Sequence, residues 1–249
     1  MKRKSRIFLI FMTLLLFLTG LAIILYPRFQ GASVDASIGK DVEFFYEWLE
    51  EIPPSTEETL PGETLTPETV THHPELLGAM QSYNETLFKE EQAGLKDPWS
   101  YTQPSFSLKQ YGLDSEIFGV ISIPKLNLEM PLYLGATSQH LAAGAAHLSQ
   151  TSLPIGGENT NCVIAGHRGF NGATYFRYIT DLQPGDTVII TNLWETLTYK
   201  VCETKIIKPY EVEEIHIQEG RELLTLLTCH PYGSGGKYRY LVYCERALD

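Results

Sequence analysis

The sequence predicts a mainly β protein: a closed barrel of about seven to eight strands with short helices, preceded by N-terminal helices and a transmembrane helix. Three observations carry that expectation. From Ile117 onward short apolar runs recur between turn signals, without the repeated strand–helix–strand alternation of a parallel sheet. Ahead of them lies a stretch rich in Pro, Thr and Glu. The chain begins with an uncharged apolar run of spanning length.

Residues 1–6, Met-Lys-Arg-Lys-Ser-Arg, are expected to form a cytoplasmic tail. Residues 7–26 follow as an apolar run from Ile7 to Tyr26. At ~1.5 Å rise per residue it reaches roughly 30 Å, the thickness of a bilayer's hydrocarbon core. A secretory signal has a core of only ~7–15 apolar residues before its cleavage site. Pro27-Arg28-Phe29-Gln30 is a poor cleavage context, so the run is expected to remain as a signal-anchor. Lys2, Arg3, Lys4 and Arg6 then hold the N-terminus in the cytoplasm. Everything after residue 27 is expected to lie outside, ending in a free extracytoplasmic C-terminus.

Residues 27–74 are expected to be an extracytoplasmic stalk. Within it, Asp41–Glu50 alternates acids and large apolar residues at helical spacing and reads as a short amphipathic helix. Residues 53–74 have little to bury and read as a solvated linker. The adjacent His72 and His73 lack a nearby third ligand and make a weak metal signal. Residues 75–106 are expected to hold a second helix, beginning at Pro74 and running to about Ala93. Leu76, Leu77, Met80, Tyr83 and Leu87 share one of its faces.

The domain proper spans 107–249. Strands are expected at Ile117–Ile123, Leu126–Tyr133, Asn161–Ala165, Thr187–Asn192, Leu197–Lys208, Leu223–Cys229 and Tyr238–Glu245. A short helix is expected near Ala173–Ile179, with Tyr175, Phe176 and Ile179 on one side.

Charge separates these parts. The chain has 249 residues and a net charge of −11. Residues 35–75 hold eleven acids against Lys40 alone, whereas residues 1–34 hold five basic residues and no acid. An acidic protein is a poor nucleic-acid binder, because it lacks the basic surface that displaces counterions. The four cysteines, Cys162, Cys202, Cys229 and Cys244, are too sparse for a disulfide scaffold. Cys202 and Cys244 sit in late strands as possible neighbours, with free thiols the expected state.

Two segments can carry chemistry. In Val163-Ile164-Ala165-Gly166-His167-Arg168-Gly169 a strand runs into a glycine-flanked His. In Leu223-Leu224-Thr225-Leu226-Leu227-Thr228-Cys229-His230-Pro231 an apolar strand ends at a Cys followed by a turn. A nucleophile at a strand end is held by the sheet yet reaches the loop region where substrates bind. An imidazole brought close to it can exchange a proton with the thiol. Arg239 opens the next strand; antiparallel pairing would set it beside Cys229, where a guanidinium can stabilise an oxyanion. Taken singly, such a Cys also reads as a small buried hydrophobe and such a His as a turn residue. His230 is expected to point away from Cys229 as a rim residue. A zinc site from Cys162, His167, Cys229 and His230 matches no common ligand spacing.

Thr225-Leu226-Leu227-Thr228-Cys229 resembles the TLxTC signature of sortases, cysteine transpeptidases of Gram-positive cell walls. Gly166-His167-Arg168 is similar to their His segment, and Arg239 to their Arg. Cys229-His230-Pro231-Tyr232-Gly233 and Lys96-Asp97-Pro98-Trp99 resemble the active-site turn and the lid of the class C, pilin-polymerising members, with His230 where those carry Thr.

The resemblance implies a closed sortase-type barrel in which His167, Cys229 and Arg239 are catalytic. It implies a lid that sets Asp97 on Arg239 and Trp99 over Cys229, and a substrate groove lined by Thr228 and Leu227. The implied reaction cleaves an LPxTG-like sorting signal between Thr and Gly and joins the acyl-enzyme to an amine. The implied partners are LPxTG-type surface proteins or pilins, with a pilin Lys as nucleophile. A housekeeping member would use a cell-wall peptide amine instead. No metal or other cofactor is implied. The contrasting expectation is a non-catalytic, membrane-tethered β domain that binds surface proteins.

Overall fold

The computed structural model describes residues 3–51, 72–95 and 106–247. Helix α1 spans Arg3–Glu51 without interruption and carries Pro27 inside it. The expected short helix at 41–50 is therefore the last part of one long helix. Within the expected stalk, Ile38, Val42 and Phe45, at helical spacing, are buried against the domain. Residues 7–24, by contrast, present exposed Ile, Phe and Leu side chains along the helix. Residues 53–71 of the expected linker lie outside the described residues, as does the lid segment with Asp97 and Trp99.

Helix α2 covers Pro74–Lys89, with Pro at its first turn, where a missing N–H costs nothing. Leu76, Met80 and Leu87 are buried, and Leu77 and Tyr83 pack against the same core. Asn84 pins the helix to the barrel. Its Oδ1 accepts from Leu153 N at 2.7 Å and its Nδ2 donates to Leu153 O at 3.3 Å.

Eight strands follow: β1 (Ile117–Ile123), β2 (Leu128–Leu134), β3 (Ala145–His147), β4 (Thr160–Ala165), β5 (Thr187–Thr191), β6 (Thr196–Ile207), β7 (Glu222–His230) and β8 (Tyr238–Arg246). They close in the order β1-β2-β3-β4-β7-β8-β6-β5. The β2/β3 and β4/β7 pairs are parallel and the others antiparallel. Seven of the strands fall where the apolar runs place them. The eighth, β3, and the helix α3 before it (Ser138–Ala143) were not expected. The expected helix near Ala173–Ile179 is instead a series of turns ending in a 3-10 turn at Ile179–Asp181. Tyr175 there has φ of +42°, which no α-helix tolerates. Its ring, with Phe176 and Ile179, is nevertheless buried in the core.

The strands present two packed faces. Cys162, Ile164, Leu224, Leu226, Val242 and Cys244 belong to the main core. Val163, Ala165, Leu227, Leu241 and Tyr243, the alternate residues of the same strands, form a second cluster with Ile207 and Ile215. Cys244 is buried as a free thiol. Cys202, at the β6 irregularity between Val201 and Glu203, is also a free thiol but exposed.

Candidate active site

The site is built by three adjacent strands, β4, β7 and β8. The parallel β4/β7 ladder ends with Ala165 opposite Leu227, and one more bond, Gly166 N to Leu227 O at 3.1 Å, extends it. His167, just beyond β4, and Cys229, still within β7, each lie two residues past that last pair. On the other flank Cys229 stands directly opposite Arg239 in the antiparallel β7/β8 ladder. Side chains so paired share a face with Cβ atoms about 4.5–5.5 Å apart. By alternation it is the face of Leu227 and Leu241, the second cluster, and not that of the main core. One arrangement thus sets Cys229 opposite Arg239 and at the end of the strand beside the segment that carries His167.

Local contacts fix each of them. The buried Thr228 hydroxyl donates to Gly166 O at 2.8 Å, tying the end of β7 to the segment that carries His167. Gly166 must be glycine, because a Cβ there would meet the Phe176 ring at 2.6 Å. The half-buried imidazole of His167 stacks on Phe170 at 4.5 Å between ring centroids and meets the edge of Tyr175 at 5.8 Å. Arg239 is buried, and its Nη1 donates to Gly236 O at 2.6 Å and to Tyr238 O at 3.3 Å. The β7–β8 turn is thereby folded back over the pair. At Gly236, with φ of 85°, a Cβ would lie 3.1 Å from Arg239 Nη1 and 3.3 Å from Cys229 Sγ.

Thr228 and Leu227, expected in a groove, are both fully buried. Thr228 fastens the strand end, and Leu227 packs with the second cluster. His230 is less loose than a rim residue. Arg168 Nη1 donates to His230 Nδ1 at 2.5 Å and reaches Cys229 O at 3.5 Å, while its Nη2 donates to Thr180 Oγ1 at 3.3 Å. Because arginine cannot accept, that bond requires a neutral His230 with its Nδ1 lone pair facing Arg168. Cys162 belongs to the main core and Cys229 to the opposite face, so the four-ligand zinc set does not converge.

Burial favours the neutral form of both groups. Burial pushes the Cys229 thiol above its usual range, and the guanidiniums of Arg239 and then Arg168 pull it back part of the way. Burial also lowers the imidazole of His167. Such a pair can carry out acyl transfer: a thiol to attack a carbonyl, an imidazole to move the proton, and a guanidinium at the developing oxyanion. Arg168, Phe170 and Gly236 were not singled out from the sequence. The only signals for them were an Arg after the His and a glycine run in the turn.

A sortase domain model matches residues 121–247. Sortase D of Bacillus subtilis is 30% identical over 159 residues, covering 63% of this chain and 76% of that protein. The structure of Group B Streptococcus Pilus Island 1 sortase C2 superposes with a TM-score of 0.63 at 33% identity, covering 71% of this chain and 97% of that one. A mutant of sortase C-1 from S. pneumoniae reaches 0.69 at 28% identity, covering 84% and 98%. The barrel, the three-strand site and these likenesses lead to one conclusion: the chain belongs to the sortase family of cysteine transpeptidases.

Proposed function

We propose that this transpeptidase is a single-pass membrane protein with its N-terminus in the cytoplasm and its barrel outside. In this reading it cleaves an LPxTG-like sorting signal between Thr and Gly and transfers the acyl group to a pilin Lys. The observation that carries the chemistry is the register placing Cys229 opposite Arg239 and in step with His167. The anchor is supported by the run of residues 7–26, since α1 is long and apolar enough to cross a bilayer. The orientation is supported by Lys2, Arg3, Lys4 and Arg6. The pilus reading is supported by likeness to the Pilus Island 1 sortase C2 and the pilus-related sortase C of Group B Streptococcus.

His167 takes the Cys229 proton as the sulfur attacks the Thr carbonyl, and Arg239 donates to the oxyanion of the tetrahedral intermediate. His167 as imidazolium gives its proton to the glycine nitrogen as the C–N bond breaks, leaving a thioester. The incoming amine attacks that thioester, His167 takes the amine's proton, and the Cys229 thiolate departs. Thr228 holds the two strand ends together during this exchange. In this reading Asp97 and Trp99 belong to a lid, as the family resemblance implies.

The test is reconstitution of the full chain with a pilin carrying the sorting signal, read by mass spectrometry for an isopeptide bond. Isopeptide-linked pilin is expected from the native enzyme and none from Cys229→Ala. Polymer formed by Cys229→Ala would sink the catalytic assignment. Products joined only to a cell-wall peptide amine would replace pilin Lys with the housekeeping nucleophile.

A further inference from the structure

The loop that follows His167 is packed on α1 at the point where that helix leaves its apolar run. Gly172 and Gly31 meet backbone to backbone, and Pro27 O lies against Gly172; neither glycine has room for a side chain. One helical turn further on, Asp35 Oδ1 accepts from Thr174 N at 3.4 Å. The apolar run ends at Tyr26, so Gly31 is five residues beyond it, about 7.5 Å at ~1.5 Å per residue. The headgroup layer on each side of a bilayer is roughly 5–8 Å thick, the difference between total and hydrocarbon thickness. The loop is therefore level with that layer.

Its surface suits such a place. Phe170, Tyr178 and Tyr232 are 40%, 48% and 55% exposed. Arg177 lies over the rings of Tyr232 at 4.5 Å and Tyr178 at 5.7 Å, joining the His-side loop to the β7–β8 turn. Exposed aromatics beside cations are the composition of a membrane interface. Charge agrees. In a chain of net charge −11, the two loops around the site, residues 166–180 and 230–238, contain Arg168, Arg177 and Lys237 and no Asp or Glu, with Asp35 of α1 set against Thr174. Apart from Asp35 on α1, the loop charges are basic, on a protein that is acidic as a whole, and a basic rim is matched to an anionic lipid surface.

We infer that the rim of the active site, the loops bearing Phe170, Arg177 and Tyr232, rests in the anionic headgroup layer of the bilayer that α1 crosses. The inference rests on the anchored reading above. It goes beyond that reading in making the membrane surface a wall of the site and not a distant tether point. A substrate would then be met at the lipid surface, in reach only of a segment that emerges beside it.

The test is the native full chain in nanodiscs containing phosphatidylglycerol and a phospholipid with a photoactivatable headgroup. Cross-links are localised by peptide fragmentation. Label is expected on α1 near Tyr26 and on Gly169–Tyr178, and not on the Asn192–Glu195 turn. That turn follows Thr191, which bonds to Tyr46, some twenty residues further along α1. Arg177→Glu is expected to cut loop labelling several-fold while α1 labelling holds. Label on α1 with none on the loop overturns the inference and leaves the anchor standing. No label on α1 overturns the anchor. Loop labelling that Arg177→Glu leaves unchanged also overturns the inference, since it would reflect nearness without docking.

Discussion

Cys229 and Arg239 face each other across the β7/β8 ladder, and the guanidinium of Arg239 also holds Gly236 O of the turn between them. The cation is thus held in place by the fold, as the proposed oxyanion role requires. Arg239→Ala is expected to lower kcat by roughly 10²–10³-fold, the usual loss of one oxyanion donor. Arg239→Lys should recover only part of it, because an ammonium cannot bond Gly236 O and an oxyanion with the same fork. Transpeptidation of a sorting peptide, with circular dichroism as a check on folding, measures both. Near-native kcat in Arg239→Ala would remove the residue from the mechanism.

Gly236 tests how tightly the turn is fitted. Gly236→Ala brings a methyl into contact with both Cys229 and Arg239 at a positive φ that costs roughly 1–2 kcal/mol. Alkylation of Cys229 and turnover should both fall about tenfold or more, by misplacement of the reacting atoms. The melting temperature should move by only a few degrees.

Thr228→Val removes the bond to Gly166 O while keeping the volume. Stability should drop by about 1–3 kcal/mol, the usual result of leaving a buried acceptor unpaired. Turnover should drop roughly ten- to hundredfold as His167 loses its spacing from Cys229. Thr228→Ser should restore both. A variant with native kinetics would show that the bond does not set that spacing.

The reactivity of Cys229 should keep rising with pH. Its thiol lies above the usual range and His167 below its own, so raising pH through neutrality ionises neither partner into a stable ion pair. Stopped-flow alkylation should show no thiolate plateau near pH 7. Arg168→Gln, which removes one of the two cations that favour the thiolate, should move the profile to higher pH. An unmoved profile would deny Arg168 that influence.

His147 predicts an acid weakness in the fold. It is fully buried, its Nε2 donates to Thr151 O at 3.1 Å, and burial lowers its pKa from 6.5 to about 4. The unfolded chain takes up this proton below about pH 6.5 and the folded protein only near pH 4, so stability falls between those values as pH drops. The loss should reach about 3 kcal/mol. Urea unfolding of native protein and His147→Gln across that range checks it; equal slopes would exonerate His147.

The sequence made much of this visible, for physical reasons that differ by element. The limits of β1 are those expected, because its apolar run is bounded by Glu116 and Pro124. The Cys229–Arg239 pairing was legible because two strands joined by one turn have little choice of partner. Strand β3 was not, since Ala145-Ala146-His147 has no hydrophobic pattern and pairs through long-range contacts. Helix α3 left one signal: Thr137, whose hydroxyl accepts from His140 N as an N-cap. Arg168 was hidden because its partners Thr180 and His230 are set by the fold, not by spacing. The unbroken α1 was hidden by Pro27 and by an acidic composition that suits a tether as well as a helix.

The burial of α1 against the barrel sets where the chain can be shortened. A soluble form that begins just after Tyr26 keeps Ile38, Val42 and Phe45 in place. One that begins beyond Glu51 loses all three from the core. At roughly 1.5–3 kcal/mol for each large side chain, that removes about 5–9 kcal/mol of packing. Whole domains rest on about 5–15 kcal/mol. Such a fragment would expose the apolar strip on the barrel that these residues cover, and its insolubility would say nothing about the enzyme.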